Sequence, residues 1–151
     1  MFPLRKIINP TDFSEPSQRG TEAAVKLAET FHSELILVHA VTPLPIIAES
    51  SGAAGYHLPT VMEDLEQQAR DAMDRLVETL IPRQIHVRSL ILHGMPANEI
   101  ARAALEESTD LIVMATHGES GWKRFFFGSV TERVVHIAEV SVLTIRPPKQ
   151  A

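Results

Sequence analysis

Leu111-Ile112-Val113-Met114-Ala115-Thr116-His117-Gly118, then nine residues, then Gly128-Ser129-Val130-Thr131, is the stretch that decides the fold. Its apolar run reads as a buried strand, a glycine-punctuated loop passing through Gly121 follows, and Gly128-Ser129 opens a segment of helical period. A strand, a loop and a helix start in that order bring backbone N–H groups together where an anion can sit. The same order of pieces recurs through the rest of the chain.

Ile7-Ile8 is a short strand ending at Asn9-Pro10, followed by Thr11-Asp12-Phe13-Ser14-Glu15, a loop rich in helix-capping residues. The spacing predicts a helix from Pro16 to Phe31 with Ala24, Leu27, Ala28 and Phe31 on one face. Leu35-Ile36-Leu37-Val38 is an unbroken apolar run, as expected of a central parallel strand buried on both faces. From Thr42 to Thr60 the sequence is irregular, a loop of a length usually reserved for function or mobility.

A helix follows with Val61, Leu65, Ala69, Ala72, Met73, Leu76 and Leu80 inward and its charges on a wet face. Ile85 to Leu92 partly alternates and reads as an edge strand; His93-Gly94-Met95-Pro96 then turns into a helix carrying Ala97, Ile100, Ala101, Ala104 and Leu105. Leu111 to Ala115 is the fourth strand, Ser129 to Ala138 a helix with Val130, Val134, Ile137 and Ala138 inward, and Val140 to Ile145 the fifth strand. Such βα alternation implies one α/β domain over 1–151, a doubly wound parallel sheet with helices on both faces and a ligand crevice beyond the strands' carboxyl ends. The loops after the first strand (Pro10 to Ser14) and the fourth (Thr116 to Gly128) are the two expected to meet there.

Composition narrows the function. The chain has 151 residues, no cysteine and a formal net charge of −5. Thiol catalysis, disulfides and thiolate metal sites are excluded, and no basic stripe is present for a nucleic-acid backbone. No apolar run reaches the ~20 residues of a membrane span, and Met1 to Lys6 lacks a secretory pattern, so a cytoplasmic protein with no membrane or nucleic-acid partner is expected. There is no Gly-x-x-x-x-Gly-Lys-Ser/Thr phosphate loop and no Gly-x-Ser-x-Gly elbow, and no catalytic residue is assigned. His39, His93 and His117 each follow a strand, but their spacing is not that of a zinc site.

With the glycine spacing in hand, the chain resembles the universal stress protein family over nearly its whole length. Ala115-Thr116-His117-Gly118, nine residues, then Gly128-Ser129 follows that family's Gly-x-x-Gly, nine residues, Gly-Ser/Thr signature, with alanine at the first glycine. Pro10-Thr11-Asp12-Phe13-Ser14, Val38-His39-Ala40-Val41, Gly94-x-Pro96 and Val140-Ser141-Val142-Leu143 match it too. The resemblance implies a five-stranded Rossmann-like sheet of order 3-2-1-4-5, of the adenine nucleotide α-hydrolase-like kind. It also implies an ATP-binding branch in which Mg or Mn rides on the phosphates, and a homodimer through the last strand.

Carried over by position, Asp12 would meet the ribose or adenine edge with Thr11 beside it, Pro10 and Ala40 would frame the base, and Met114 would line the floor. Gly118, Gly128, Ser129 and Val130 would hold the phosphates, with Ala115 and His117 alongside. The resemblance makes the protein a nucleotide-dependent stress-response regulator with little or no hydrolysis; a nucleotide-free homodimeric scaffold is the alternative.

Each residue also has a plainer reading. Asp12 reads equally as a helix N-cap. Gly118 and Gly121 read as turn glycines, and Gly128-Ser129 as an ordinary helix start, although neither accounts for the nine-residue interval. Ala115 costs about 1–2 kcal/mol if its φ is positive and nothing if it ends the strand, which is the expectation. Trp122, Phe125, Phe126 and Phe127 read as pins for the loop, and Lys123 and Arg124 as solvated charges.

Overall fold

The computed structural model describes residues 3–43, 58–116 and 128–146. The order is β1 (Lys6–Pro10), α1 (Glu15–Phe31), β2 (Glu34–Val41), α2 (Leu58–Leu80), β3 (Val87–His93), α3 (Pro96–Glu106), β4 (Leu111–Ala115), α4 (Ser129–Ile137) and β5 (Ser141–Ile145). The strands form one parallel sheet of order β3-β2-β1-β4-β5. This is the doubly wound architecture expected from the alternation. Most of the Thr42 to Thr60 loop, the Glu119 to Phe127 segment with its aromatic residues, and Pro147-Pro148 lie outside the described residues.

The period-2 geometry of the strands divides the core. Ile7, Leu35, Leu37, Leu111 and Val113 face α1 and α2, meeting Ala24, Val25, Ala28, Met73 and Leu76. Their neighbours Ile8, Ile36, Val38, Ile112 and Met114 face α3 and α4, meeting Ala97, Ile100, Ala103, Ala104 and Val134. Runs such as Leu35 to Val38 are apolar throughout because both faces are covered.

Several faces differ from the sequence reading. Phe31 is exposed: the chain leaves α1 at His32, left-handed at φ 55°, and buried Ser33 closes the bottom by donating from Oγ to the Leu4 carbonyl at 2.7 Å. On α3, Ala103 rather than Leu105 points inward. On α4, Val130 and Ile137 are exposed while Thr131 and Val134 are buried, because the helix is only nine residues long and its inward stripe includes a threonine. Hydropathy passes over an inward threonine. Ile85 precedes β3 in a turn, its N–H donating to the Pro82 carbonyl.

Gly20 is the position where helix and sheet come closest. A Cβ there would stand 2.8 Å from the Ala115 nitrogen and 3.2 Å from the Met114 carbonyl carbon, both rigid backbone atoms. Only hydrogen lets α1 lie this low on β4. Gly20→Ala is therefore expected to lower the unfolding free energy by about 1–3 kcal/mol, through overpacking, in urea titration; an unchanged midpoint would contradict the close approach.

The amino ends of the strands carry a polar clasp. Arg88 of β3 pairs with both Glu34 of β2 and Glu107 after α3, and Lys6 donates from Nζ to the Glu107 carbonyl at 2.9 Å. The Asp110 carboxylate accepts the Arg5 and Lys6 N–H groups at 2.7 and 3.0 Å. The hydrogen bond from Arg88 lowers the Glu34 pKa, and the Lys6 N–H lowers that of Asp110. Between the folded and unfolded values the unfolded chain binds more protons, so stability rises with pH there. The contribution is complete above about pH 4–5, given unfolded values near 4.3 and 3.9, and is lost as pH falls through the folded values. Glu34→Gln and Asp110→Asn should each lower Tm at neutral pH, and the difference from the parent should shrink on acidification towards pH 3.

Candidate functional site: the crevice where β1 and β4 part

β1 pairs with β2 as far as Pro10↔Val38, but with β4 only at Ile7↔Leu111 and Ile8↔Ile112. At the next step the Asn9 side chain replaces the ladder. Its Nδ2 donates to the Val113 carbonyl at 2.7 Å, its Oδ1 accepts the Thr21 hydroxyl at 2.8 Å, and both residues are fully buried. The Thr11 N–H still donates to the Val38 carbonyl at 2.9 Å. Successive peptide groups alternate sides, so the N–H that Pro10 lacks is the one that would have faced β4. A proline is tolerated here because the ladder is ending.

Beyond the break the chain forms a tight loop. Asp12 Oδ1 accepts the Ser14 N–H at 3.0 Å and also the Ser14 hydroxyl. The N-cap of α1 is Ser14 rather than Asp12: its Oγ takes the Ser17 N–H at 3.3 Å. Asp12 thus shapes the turn before the helix while remaining exposed at the crevice. Between them Phe13 sits at φ 65°, a left-handed conformation costing a bulky residue about 1–2 kcal/mol. Three contacts hold it there. Its N–H donates to Thr11 Oγ1 at 3.0 Å, its ring lies 4.5 Å from that of His39, and His39 Nδ1 donates to the Thr11 carbonyl at 2.8 Å.

The opposite wall comes from β4 and α4. Ala115 is the last residue of β4, paired with Ile145, and is not among the residues with positive φ, so its methyl carries no backbone strain. Thr131 donates from Oγ1 to the Ala115 carbonyl at 2.9 Å and pins α4 against the strand end. Gly128 is the N-cap of α4 and supplies no side-chain cap to the first-turn N–H groups. Those donors, with the positive end of the helix dipole, suit an anion.

Between the walls lies a cavity of about 370 Å³, within the range of small-ligand sites. Pro10, Thr11 and Asp12 line it from β1 and its loop, Ala40 from β2, Met114 and Ala115 from β4, and Gly128, Ser129 and Val130 from α4. These nine were singled out from the sequence; the other two, His117 and Gly118, lie outside the described residues. Sequence reasoning missed Ser17, Val38, Pro96, Ile100 and Thr131, and weighed His39 only as a metal ligand. Ser17 lies one turn before Gly20, whose lack of a side chain was the available sign that α1 comes close.

His93 pairs with Glu66 of α2 at 3.0 Å. Among the described residues, no three His, Asp or Glu side chains come together as a metal site. No helix among them is long and apolar enough to cross a membrane.

A sequence model of the universal stress protein family matches residues 3–146. The chain belongs to this family. It is 32% identical to universal stress protein MJ0531 of Methanocaldococcus jannaschii over 149 residues, which covers 97% of this chain and 84% of that one. The solved structure of hypothetical protein MJ0577 from the same organism superposes with a TM-score of 0.78 at 28% identity, covering 97% of this chain and 99% of that one. Two more distant structures share the fold. One is a universal stress protein in complex with cAMP, at TM-score 0.65 and 21% identity over 95% of this chain and 97% of that one. The other is the Archaeoglobus fulgidus protein in complex with dAMP, at TM-score 0.66 and 19% identity over 95% and 98%.

Proposed function

We propose that this chain is a cytoplasmic, nucleotide-dependent stress-response regulator that binds ATP, with a divalent cation, in the crevice between β1 and β4. The observation that carries the reading is the cavity itself. Apolar walls from Val38, Ala40, Pro96, Ile100 and Met114 stand at one side and the uncapped N terminus of α4 at the other. A flat base and an anionic tail joined by a sugar match that division. The adenylates held by the cAMP and dAMP complexes support the choice of base. In this reading Asp12 and Thr11 meet the sugar, Pro10, Ala40 and Met114 the base, and Gly128, Ser129, Val130 and Gly118 the phosphates, with Ala115 and His117 alongside. The cation, Mg or Mn, would be carried by the phosphates, where it would offset their charge.

Turnover is expected to be slow or absent. Phosphoryl transfer needs a group that orients the nucleophile at the terminal phosphate, and among the described residues lining the crevice the only carboxylate is Asp12. Asp12 belongs to the sugar end and already accepts two hydrogen bonds from Ser14. About 30 ligand heavy atoms at roughly 0.3 kcal/mol each correspond to about 9 kcal/mol, or sub-micromolar to micromolar affinity. Calorimetric titration with ATP and Mg²⁺ should saturate in that range, with no phosphate released above background. Asp12→Ala and Gly118→Val should each weaken binding about tenfold or more. No heat at millimolar ATP would sink the proposal.

Exposed apolar side chains on both faces of the β5 edge favour a second, compatible reading as a homodimer, with a nucleotide-free scaffold as its limiting form. β5 is an edge strand, and Leu143 on it is exposed together with Val135 and Ile137 of α4. An unpaired ladder flanked by apolar side chains is satisfied by its twin in a second copy. Sedimentation should show a dimer at micromolar concentration that Leu143→Lys shifts to monomer; a monomeric parent protein would remove this reading.

A further inference from the structure

The hydroxyl groups of the crevice form a directed chain. Ser17 Oγ lies 2.9 Å from the Ser14 carbonyl, which only accepts, so the Ser17 proton is committed there. Thr11 Oγ1 lies 3.1 Å from Ser17 Oγ and must therefore be the donor of that pair. Thr11 Oγ1 in turn accepts the Phe13 N–H. This is the assignment in which both buried hydroxyl protons have a protein acceptor. Across the crevice the Thr131 proton is committed to the Ala115 carbonyl.

The hydroxyls of Thr11 and Ser17 thus offer an incoming ligand lone pairs alone, and the Asp12 carboxylate adds more. We infer that Ser17 is a specificity-determining residue: by fixing the Thr11 hydroxyl as an acceptor, it makes this wall select free sugar hydroxyls and repel an anion. The inference rests on the adenylate reading and deepens it. A nucleotide is linear in its parts, with the sugar between base and phosphate. With the base against β2 and α3 and the phosphates at α4, the sugar must cross the end of β1, where Thr11 and Ser17 stand. The lone-pair wall opposes the reversed pose, because phosphate oxygens would face oxygens.

The test compares ATP with its analogue lacking both sugar hydroxyls, by calorimetry, on the parent protein, Ser17→Ala and Ser17→Thr. The parent should prefer ATP by about fivefold or more, the worth of one hydrogen bond. Ser17→Ala frees the Thr11 proton to point at the ligand and should reduce the preference below about twofold, whereas Ser17→Thr, which retains a hydroxyl, should keep it. Matched melting curves check that the variants fold, and the parent's own preference still decides the matter if one does not. Equal binding of the two ligands by the parent overturns the inference while leaving the adenylate reading standing. A preference untouched in Ser17→Ala overturns the role of Ser17. Absence of binding by either ligand removes both, and is read separately.

Discussion

The buried hydrogen bond from the Asn9 amide to the Val113 carbonyl holds the two halves of the sheet together where their ladder stops. One strand must leave its neighbour for a crevice to open, yet a carbonyl abandoned in the core costs roughly 1–3 kcal/mol. Asn9 resolves the conflict by substituting a side-chain donor for the missing backbone one, and Thr21 of α1 satisfies its remaining oxygen. Pro10 follows directly and withholds the N–H that would have prolonged the ladder. The site therefore begins in the core, one residue before any group that faces it.

From that point the two walls are set by different forces. The β1 side is held by short polar contacts that force Phe13 into a left-handed turn, with strain stored at the mouth of the crevice and repaid by the His39 ring and the Thr11 carbonyl. The β4 side is held by packing: α1 presses against the Met114-Ala115 backbone through Gly20, and α4 is tied to the Ala115 carbonyl by Thr131. Ala115 is thereby gripped from both faces of the sheet. Its place as the last strand residue makes a side chain acceptable at a position where the family signature has glycine.

The ends of the sheet have opposite characters. At the amino ends, Arg88 bridges Glu34 and Glu107, and Asp110 accepts the Arg5 and Lys6 N–H groups. At the carboxyl ends, the donors of α4 receive no side-chain cap from Gly128, and an acceptor-rich loop stands opposite. Charge at the first end is used to close the fold; polarity at the second is left for a ligand. That division follows the parallel arrangement, which puts every βα turn at the same end.

Much of this was legible in the linear chain. Unbroken apolar runs gave buried parallel strands, their alternation with amphipathic segments gave a parallel sheet covered on both faces, and the family resemblance supplied the strand order. What pattern alone could not supply was orientation in short helices and the close contacts between elements. In α4 a single turn decides which side chains face inward, and hydropathy favoured Val130 and Ile137 over Thr131 because it has no measure of a hydroxyl paired to a strand carbonyl. Gly20 escaped notice because its importance lies in what α1 touches, a strand some ninety residues further along the chain, and Ser17 because it acts through the hydroxyl of Thr11. Sequence by itself determined the layers and the end of the sheet where a ligand would lie, because periodicity and loop chemistry are local. Tertiary structure alone decided where β1 parts from β4 and which way each hydroxyl points, because those depend on partners that only folding brings together.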